Sequence, residues 1–293
     1  NVLSATAIAV FNNSGTSATI YAFDGTGWNV SLDGGTSGVR IRFVDFGSYT
    51  ITPNLMYNTL SSMRFWGGGA RHWHHTGNPI NPQNMWGYNP QLLEIYKSRV
   101  YAAGDTSTAG NPSRLFFSSV ITAAGNITWD PTVDFVDINP GDGEGITGLK
   151  RFSLELLVFK PNYTYRFRTS GVDPDPLVKI GTRCQESIVE GKRGIYFHHD
   201  SGFYRYSGGY PTEISRPISD VVEAIPFSRF TDIDSWKGSD HIYWSVGNLT
   251  IPEPKGSSLW TNVVLRYTES SDIWTIYSYS NDIKRGTPYI TTT

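Results

Sequence analysis

The sequence predicts an all-β fold, a β-propeller of about six four-stranded blades with one short helix near residues 216–225. Three observations predict it. The 293 residues are 14% aromatic and carry 30 glycines, yet only 17% are charged; that balance suits many short strands joined by tight turns. Short β-branched and aromatic runs recur along the chain, bounded by turn pairs. The 3.6-residue periodicity of an amphipathic helix is confined to a single segment.

The strands follow in order. Ala18-Thr19-Ile20-Tyr21-Ala22-Phe23 is β-rich and runs into the turn pair Asp24-Gly25 before Trp28. Val39 to Phe46 alternates apolar and polar residues, the period of a half-buried strand. Ser98 to Ala103 and Arg114 to Ser118 come next. Leu154 to Phe159 and Tyr163 to Phe167 make a hairpin about Lys160-Pro161-Asn162. Gly194 to Phe197 and Phe203 to Tyr206 make another about Asp200-Ser201-Gly202. His241 to Val246, Asn262 to Tyr267 and Trp274 to Tyr279 complete the series.

Apolar strands centred near Phe43, Val100, Leu156, Tyr196 and Tyr243 recur every 40 to 57 residues. A period of about 45 fits a four-stranded blade that buries its faces by stacking on its neighbours. A β-sandwich with irregular loops is the other arrangement this pattern allows, although it seldom needs so many strand pairs. The whole chain, 1–293, is expected to form one propeller-like domain.

Two segments depart from the strand pattern. Residues 67–90, from Gly67-Gly68-Gly69 to Asn89-Pro90, read as a long loop rich in glycine, histidine and aromatics. Trp66 just before it and its Arg71, His72, Trp73, His74, His75, Trp86 and Tyr88 are candidates for gripping a neighbouring subunit, because Trp, Tyr and Arg tend to anchor interfaces. Ser215 to Ile225 is the helix: Pro217 stands at an early helical position, and Ile218, Val221, Val222 and Ile225 share one face. Pro226 ends it.

Composition narrows the function. A net charge of −2 offers no basic excess for gripping nucleic acid or anionic lipid. The single Cys184 excludes an internal disulfide and any multi-cysteine metal site, and is expected to be a packed thiol. No apolar run reaches the ~18 residues a membrane helix needs. The opening Asn1-Val2-Leu3-Ser4 lacks an initiator Met and does not read as a signal peptide, which suggests processing or a fragment of a longer chain.

Chemistry-bearing constellations are few. His72 and His74 have the i, i+2 spacing of two metal ligands on a strand, without a visible third ligand; an aromatic loop packed on another chain explains them better. His198-His199-Asp200 reads as a hairpin tip. Asp137 to Glu144 resembles a calcium loop only faintly, since Gly141 stands where a ligand belongs and Asp142 where glycine belongs; Pro140-Gly141 and Asp142-Gly143 are turn pairs. There is no Gly-x-Ser-x-Gly, no phosphate-binding glycine loop and no His-Glu-x-x-His. Asp134, Asp137, Asp232 and Asp234 could supply the two carboxylates of a glycosidase, but sequence does not pair them in space. Asp24-Gly25-Thr26-Gly27-Trp28 is one residue too short for the Asp-box turn of sialidase propellers, and Ala22 replaces its serine. The chain is therefore expected to have no catalytic residues, cofactor or metal.

The central third carries a resemblance. Tyr96-Lys97-Ser98-Arg99-Val100-Tyr101-Ala102-Ala103-Gly104 is followed by Asn111-Pro112-Ser113-Arg114-Leu115-Phe116-Phe117-Ser118, Trp129-Asp130 and Val136-Asp137-Ile138. Gly141 to Leu149 then leads into Leu156-Leu157-Val158-Phe159-Lys160, and a second stretch runs from Gly194 through Tyr206 to Ser215. In order and spacing this series, over about residues 92 to 225, resembles the propeller-bearing tail nozzle and packaged-DNA stabilisation proteins of short-tailed bacteriophages. The resemblance implies a non-enzymatic virion protein in a ring, commonly of six copies, that lines or closes the DNA exit channel. Its partners would be further copies of itself, adaptor or portal-proximal proteins, tail fibres or spikes, and viral DNA passing without sequence-specific contact. Family chains are usually longer, and the platform domain of some members has no counterpart here. A tail adhesin that binds or cleaves host-surface glycans on a sialidase-like propeller is the alternative.

Overall fold

The protein is described by a computed structural model covering residues 7–13, 17–23, 28–36, 44–46, 49–57, 60–67, 70–74, 88, 90–106, 111–120, 128–167, 175–253, 256–281 and 283, with backbone alone for the strands up to His74. Among these residues the chain is mostly β, with antiparallel sheets built from strands consecutive in sequence and one short α-helix. The first sheet has three strands, β1 (Ala7–Asn13), β2 (Ser17–Phe23) and β3 (Trp28–Thr36). Five four-stranded sheets follow. The second comprises β4 (Val44–Phe46), β5 (Tyr49–Tyr57), β6 (Leu60–Gly67) and β7 (Ala70–His74). The third comprises β8 (Leu92–Tyr96), β9 (Arg99–Ala103), β10 (Arg114–Phe117) and β11 (Phe135–Asp137). β12 (Gly148–Phe152), β13 (Glu155–Phe159), β14 (Thr164–Phe167) and β15 (Asp175–Val178) form the fourth. The fifth is β16 (Val189–Glu190), β17 (Ile195–His199), β18 (Gly202–Tyr206) and β19 (Thr212–Glu213). β20 (Asp234–Lys237), β21 (His241–Glu253), β22 (Gly256–Thr268) and β23 (Ile273–Tyr277) make the sixth.

The chain divides into two compact units, residues 1–151 with 169–173, and residues 152–168 with 174–293.

In the first unit, the β8–β9 hairpin turns on Lys97 and Ser98, both left-handed with φ of 46° and 59°. Two positive φ values in a two-residue loop define a type I′ turn, whose twist matches that of the strands it joins. Lys97 and Ser98 therefore belong to the turn, and β9 starts at Arg99 rather than at Ser98. Val100, Ala102, Leu115 and Phe116 are fully buried behind it. Arg114 closes β10 on β11, pairing with Asp137 at 2.8 Å and lying 3.5 Å from the Phe135 ring centre.

In the second unit the fifth sheet is buried on both faces. Ile195 and Phe197 of β17 join Leu157 and Phe159 of β13 in one apolar cluster. Tyr196, between them, joins Phe203, Trp244, Leu265 and Tyr267 in a second cluster shared with the sixth sheet. Successive β17 side chains serve opposite faces, which explains why its sequence reads as a continuous apolar run rather than an alternation. Trp244 is fully enclosed and its indole N–H donates to the Ser187 carbonyl at 3.0 Å.

β21 and β22 extend beyond their flanking strands. β20 pairs with residues 242–245 and β23 with 264–268, so among the described residues the outer ribbon from Leu249 to Trp260 pairs with itself alone. The helical excursion covers the ribbon's inner face. A 3₁₀ turn at Arg216–Ile218 leads into α1 (Ser219–Glu223), close to the segment expected from the sequence. Val221, Val222 and Ile225 pack in one cluster with Leu249 and Ile251, leaving Leu259 on the opposite side exposed.

One local reading needs correction. The stretch taken as a loop from residue 67 is a strand over Ala70–His74, paired with β6 through Gly67↔Ala70 and Phe65↔His74. Backbone pairing prevails there over the weak β-signal of Arg71-His72-Trp73-His74. The predicted strand at Val39–Phe46 is described only from Val44.

Candidate functional site

The interface residues expected from the sequence fall on different elements. Trp66 lies in β6 opposite Thr50, while Arg71, His72, Trp73 and His74 lie in β7. His75 and Trp86 lie outside the described residues. Tyr88 is half-buried, its ring edge-on to Phe116 with centroids 5.1 Å apart, so it packs on the third sheet.

Three of the carboxylates weighed for ion binding or glycoside chemistry have internal partners. Asp137 pairs with Arg114, and Asp142 accepts the Glu144 N–H at 2.9 Å and the Asn139 amide at 3.2 Å within a tight turn. Asp232 pairs with Arg229 at 2.8 Å. Among the described residues no group of three or more His, Cys, Asp or Glu is placed to hold a metal ion.

What the fold does assemble is a polar seam between the fifth and sixth sheets. The tight turn Gly191-Lys192-Arg193-Gly194 enters β17, and Glu269-Ser270-Ser271-Asp272 connects β22 to β23. Glu269 is buried, and its carboxylate accepts the Lys192 and Arg193 backbone N–H groups at 3.1 and 3.0 Å and the Tyr196 hydroxyl at 2.9 Å. Three donors converging on one buried carboxylate satisfy a charge whose burial alone would be costly. Arg193 donates to the Glu269 carbonyl and pairs with Asp272 at 3.0 Å. Tyr267 donates its hydroxyl to the same Asp272. Lys192 reaches Asp240 at 3.2 Å, and Ser270 donates to that carboxylate as well.

The ionisation follows from these contacts. Burial, and then the bond to Glu269, pushes the Tyr196 hydroxyl well above its ordinary range. Tyr267 is pushed to about 12 by burial and by its bond to Asp272. The Tyr267 hydroxyl, with Arg193 and Arg205 nearby, holds Asp272 below the usual carboxylate range. Tyr196 and Tyr267 thus keep their protons and Asp272 its charge at neutral pH, so these bonds tie the fifth sheet to the sixth without a change of protonation.

The pattern recurs one sheet earlier. Tyr206 at the end of β18 donates to Glu155 of β13 and is raised to about 12 by burial and that bond. Arg166, Arg205 and Arg266 occupy the same place in the third strands of successive sheets, opposite Leu157, Tyr196 and Tyr243. Arg166 bears on Tyr206 of the next sheet, and Arg205 on Tyr267 of the next again. Sequence reasoning missed these residues. The available signals were the repeated Arg166-Phe167, Arg205-Tyr206 and Arg266-Tyr267 pairs, and the opposite charges of two turns far apart in the chain.

Cys184 is a buried thiol lying 3.4 Å from both Glu186 Oε2 and the Ile233 carbonyl, as its sequence context suggests. His198, by the hairpin tip, is almost wholly enclosed.

No protein-family model matches the chain, and no curated protein matches it. Among solved structures it is similar to the computationally designed Ika8 protein, at 7% identity and a TM-score of 0.48, over 100% of this chain and 91% of that one.

Proposed function

We propose that the chain is a non-enzymatic structural protein whose four-stranded sheets are the blades of a propeller, and that it serves in a bacteriophage tail as a nozzle or hub ring. The observation that carries the structural reading is the repeated seam: Tyr206–Glu155 joins the fourth and fifth sheets, and Tyr196–Glu269 with Arg193–Asp272 joins the fifth and sixth. Its acidic and basic groups hold sheets together, and its tyrosines are held far from the pKa a general acid or base needs. The tail assignment draws on the ordered resemblance over about residues 92 to 225. In that role the ring consists of identical copies, commonly six, contacts adaptor and fibre or spike proteins, and lets DNA pass. The net charge of −2 suits a channel wall that does not grip phosphates. No helix among the described residues is long and apolar enough to cross a membrane.

Native mass spectrometry of the purified chain and electron microscopy of particles from its source test this reading. The expected result is a symmetric ring of copies, placed on the tail axis. A monomer absent from every particle overturns it, as does retention of a specific glycan on an array accompanied by its cleavage.

A further inference from the structure

We infer that His198 is a proton-operated latch, fastening the segment Phe227–Phe230 to the fifth sheet at neutral pH and releasing it in acid. The geometry is that of a wedge. The His198 ring stands edge-on to Phe203 of its own hairpin and to Phe230 of the covering segment, with centroids 5.0 and 4.8 Å away. Its Nε2 is buried without a hydrogen-bond partner, so the ring fills this slot as a neutral aromatic. A protonated ring has one more N–H to satisfy and a charge to solvate, and no protein acceptor faces Nε2 in the slot.

The surrounding charges do not relieve this. Asp200, just past β17, is the one carboxylate that favours a charged His198, and Arg183 grips it with two donors at 2.7 and 2.8 Å. His199 adds repulsion. From the preceding 3₁₀ turn, Ser187 Oγ accepts the His198 backbone N–H, bonds the Thr182 hydroxyl and donates to the Cys184 carbonyl, and Glu186 accepts from the Cys184 thiol. In the covering segment Arg229 is paired with Asp232. Burial therefore dominates and holds the imidazole at about 3 in the closed state.

Phe230 is also a buried member of the core cluster that contains Phe203 and Trp244 and packs edge-on to Phe227 at 5.3 Å, whereas the rest of the segment is held more lightly. Phe227 lies under the Arg183 guanidinium at 4.9 Å and is mostly exposed, and Arg229 donates to the Val246 carbonyl at 3.3 Å. Lifting Phe230 away frees His198 to titrate near its ordinary value of about 6.5. The open population then rises roughly tenfold for each pH unit below that value, or roughly 100-fold between pH 7.5 and 4.5. The inference does not depend on the tail assignment.

Hydrogen exchange of the full chain, read by mass spectrometry and corrected for intrinsic pH dependence, tests it. Peptides spanning Phe227–Ile233 are expected to lose protection roughly 100-fold at pH 4.5 relative to pH 7.5, while peptides over Val263–Tyr267 keep theirs. His198→Gln removes that pH response, and His199→Gln leaves it. Simultaneous loss of protection in both regions overturns the latch, as does a local response that persists in His198→Gln. If that variant does not fold, imidazole NMR of the unmodified chain decides: a His198 ring that titrates near 6.5 with the segment still protected refutes the inference, and one still neutral at pH 4.5 in the closed state upholds it.

Discussion

The Tyr196 hydroxyl, in the fifth sheet, donates at 2.9 Å to Glu269, which lies just past β22 of the sixth. Residues 73 apart in sequence thus share a buried bond that also ties down the turn at 192–193. Glu269→Ala strands three donors and is expected to cost about 3 kcal/mol, against about 1 kcal/mol for Tyr196→Phe. Urea denaturation of the two single variants and the double variant checks this, with a coupling energy of about 1 kcal/mol expected between them.

Gly194 precedes β17 with φ at 146°, and a Cβ there would stand 2.1 Å from the Tyr206 carbonyl oxygen. Neither the dihedral nor the backbone contact can relax while Ile195 stays paired with Tyr206. Gly194→Ala is therefore expected to cost more than about 3 kcal/mol. Thermal denaturation should show a fall of several degrees or loss of soluble protein.

The Lys97-Ser98 turn runs the other way. Both residues hold left-handed dihedrals that Asn and Gly adopt more readily. Replacing the pair by Asn-Gly should raise stability by about 1 kcal/mol, seen as a higher denaturation midpoint.

Tyr206 is held at about 12, above its unfolded value of about 10, because burial and the bond to Glu155 disfavour the phenolate. Folding thus keeps this proton where the unfolded chain gives it up. The stabilisation is complete below pH 10 and drains away as pH rises from about 10 to 12. Denaturation midpoints should fall steeply over that range, and less so in Tyr206→Phe. Absorbance at about 295 nm should show native tyrosines ionising late.

Much of the strand order was legible because its cause is local. Leu156 to Phe159 and Ile195 to Tyr206 carry β-branched and aromatic side chains broken by turn residues, and both became hairpins. The helix was legible for the same reason, from Pro217 and the spacing of Ile218, Val221 and Val222. Asp234–Lys237 was not: Asp-Ser-Trp-Lys has little strand preference, and it pairs because β21 offers an edge, stacking Trp236 on Tyr243 at 5.3 Å. The extension of β21 through Pro252 to Glu253 was hidden by the proline. The seam was invisible because no local rule links Arg193 to Glu269 or Asp272; only the stacking of two sheets brings them together.

That each sheet draws its strands from one uninterrupted stretch of chain has a kinetic consequence. Among the described residues, every strand pair within a sheet lies inside that stretch and can form as soon as it has left the ribosome. Loop-closure entropy within each sheet stays small, and the sheets can form vectorially during synthesis.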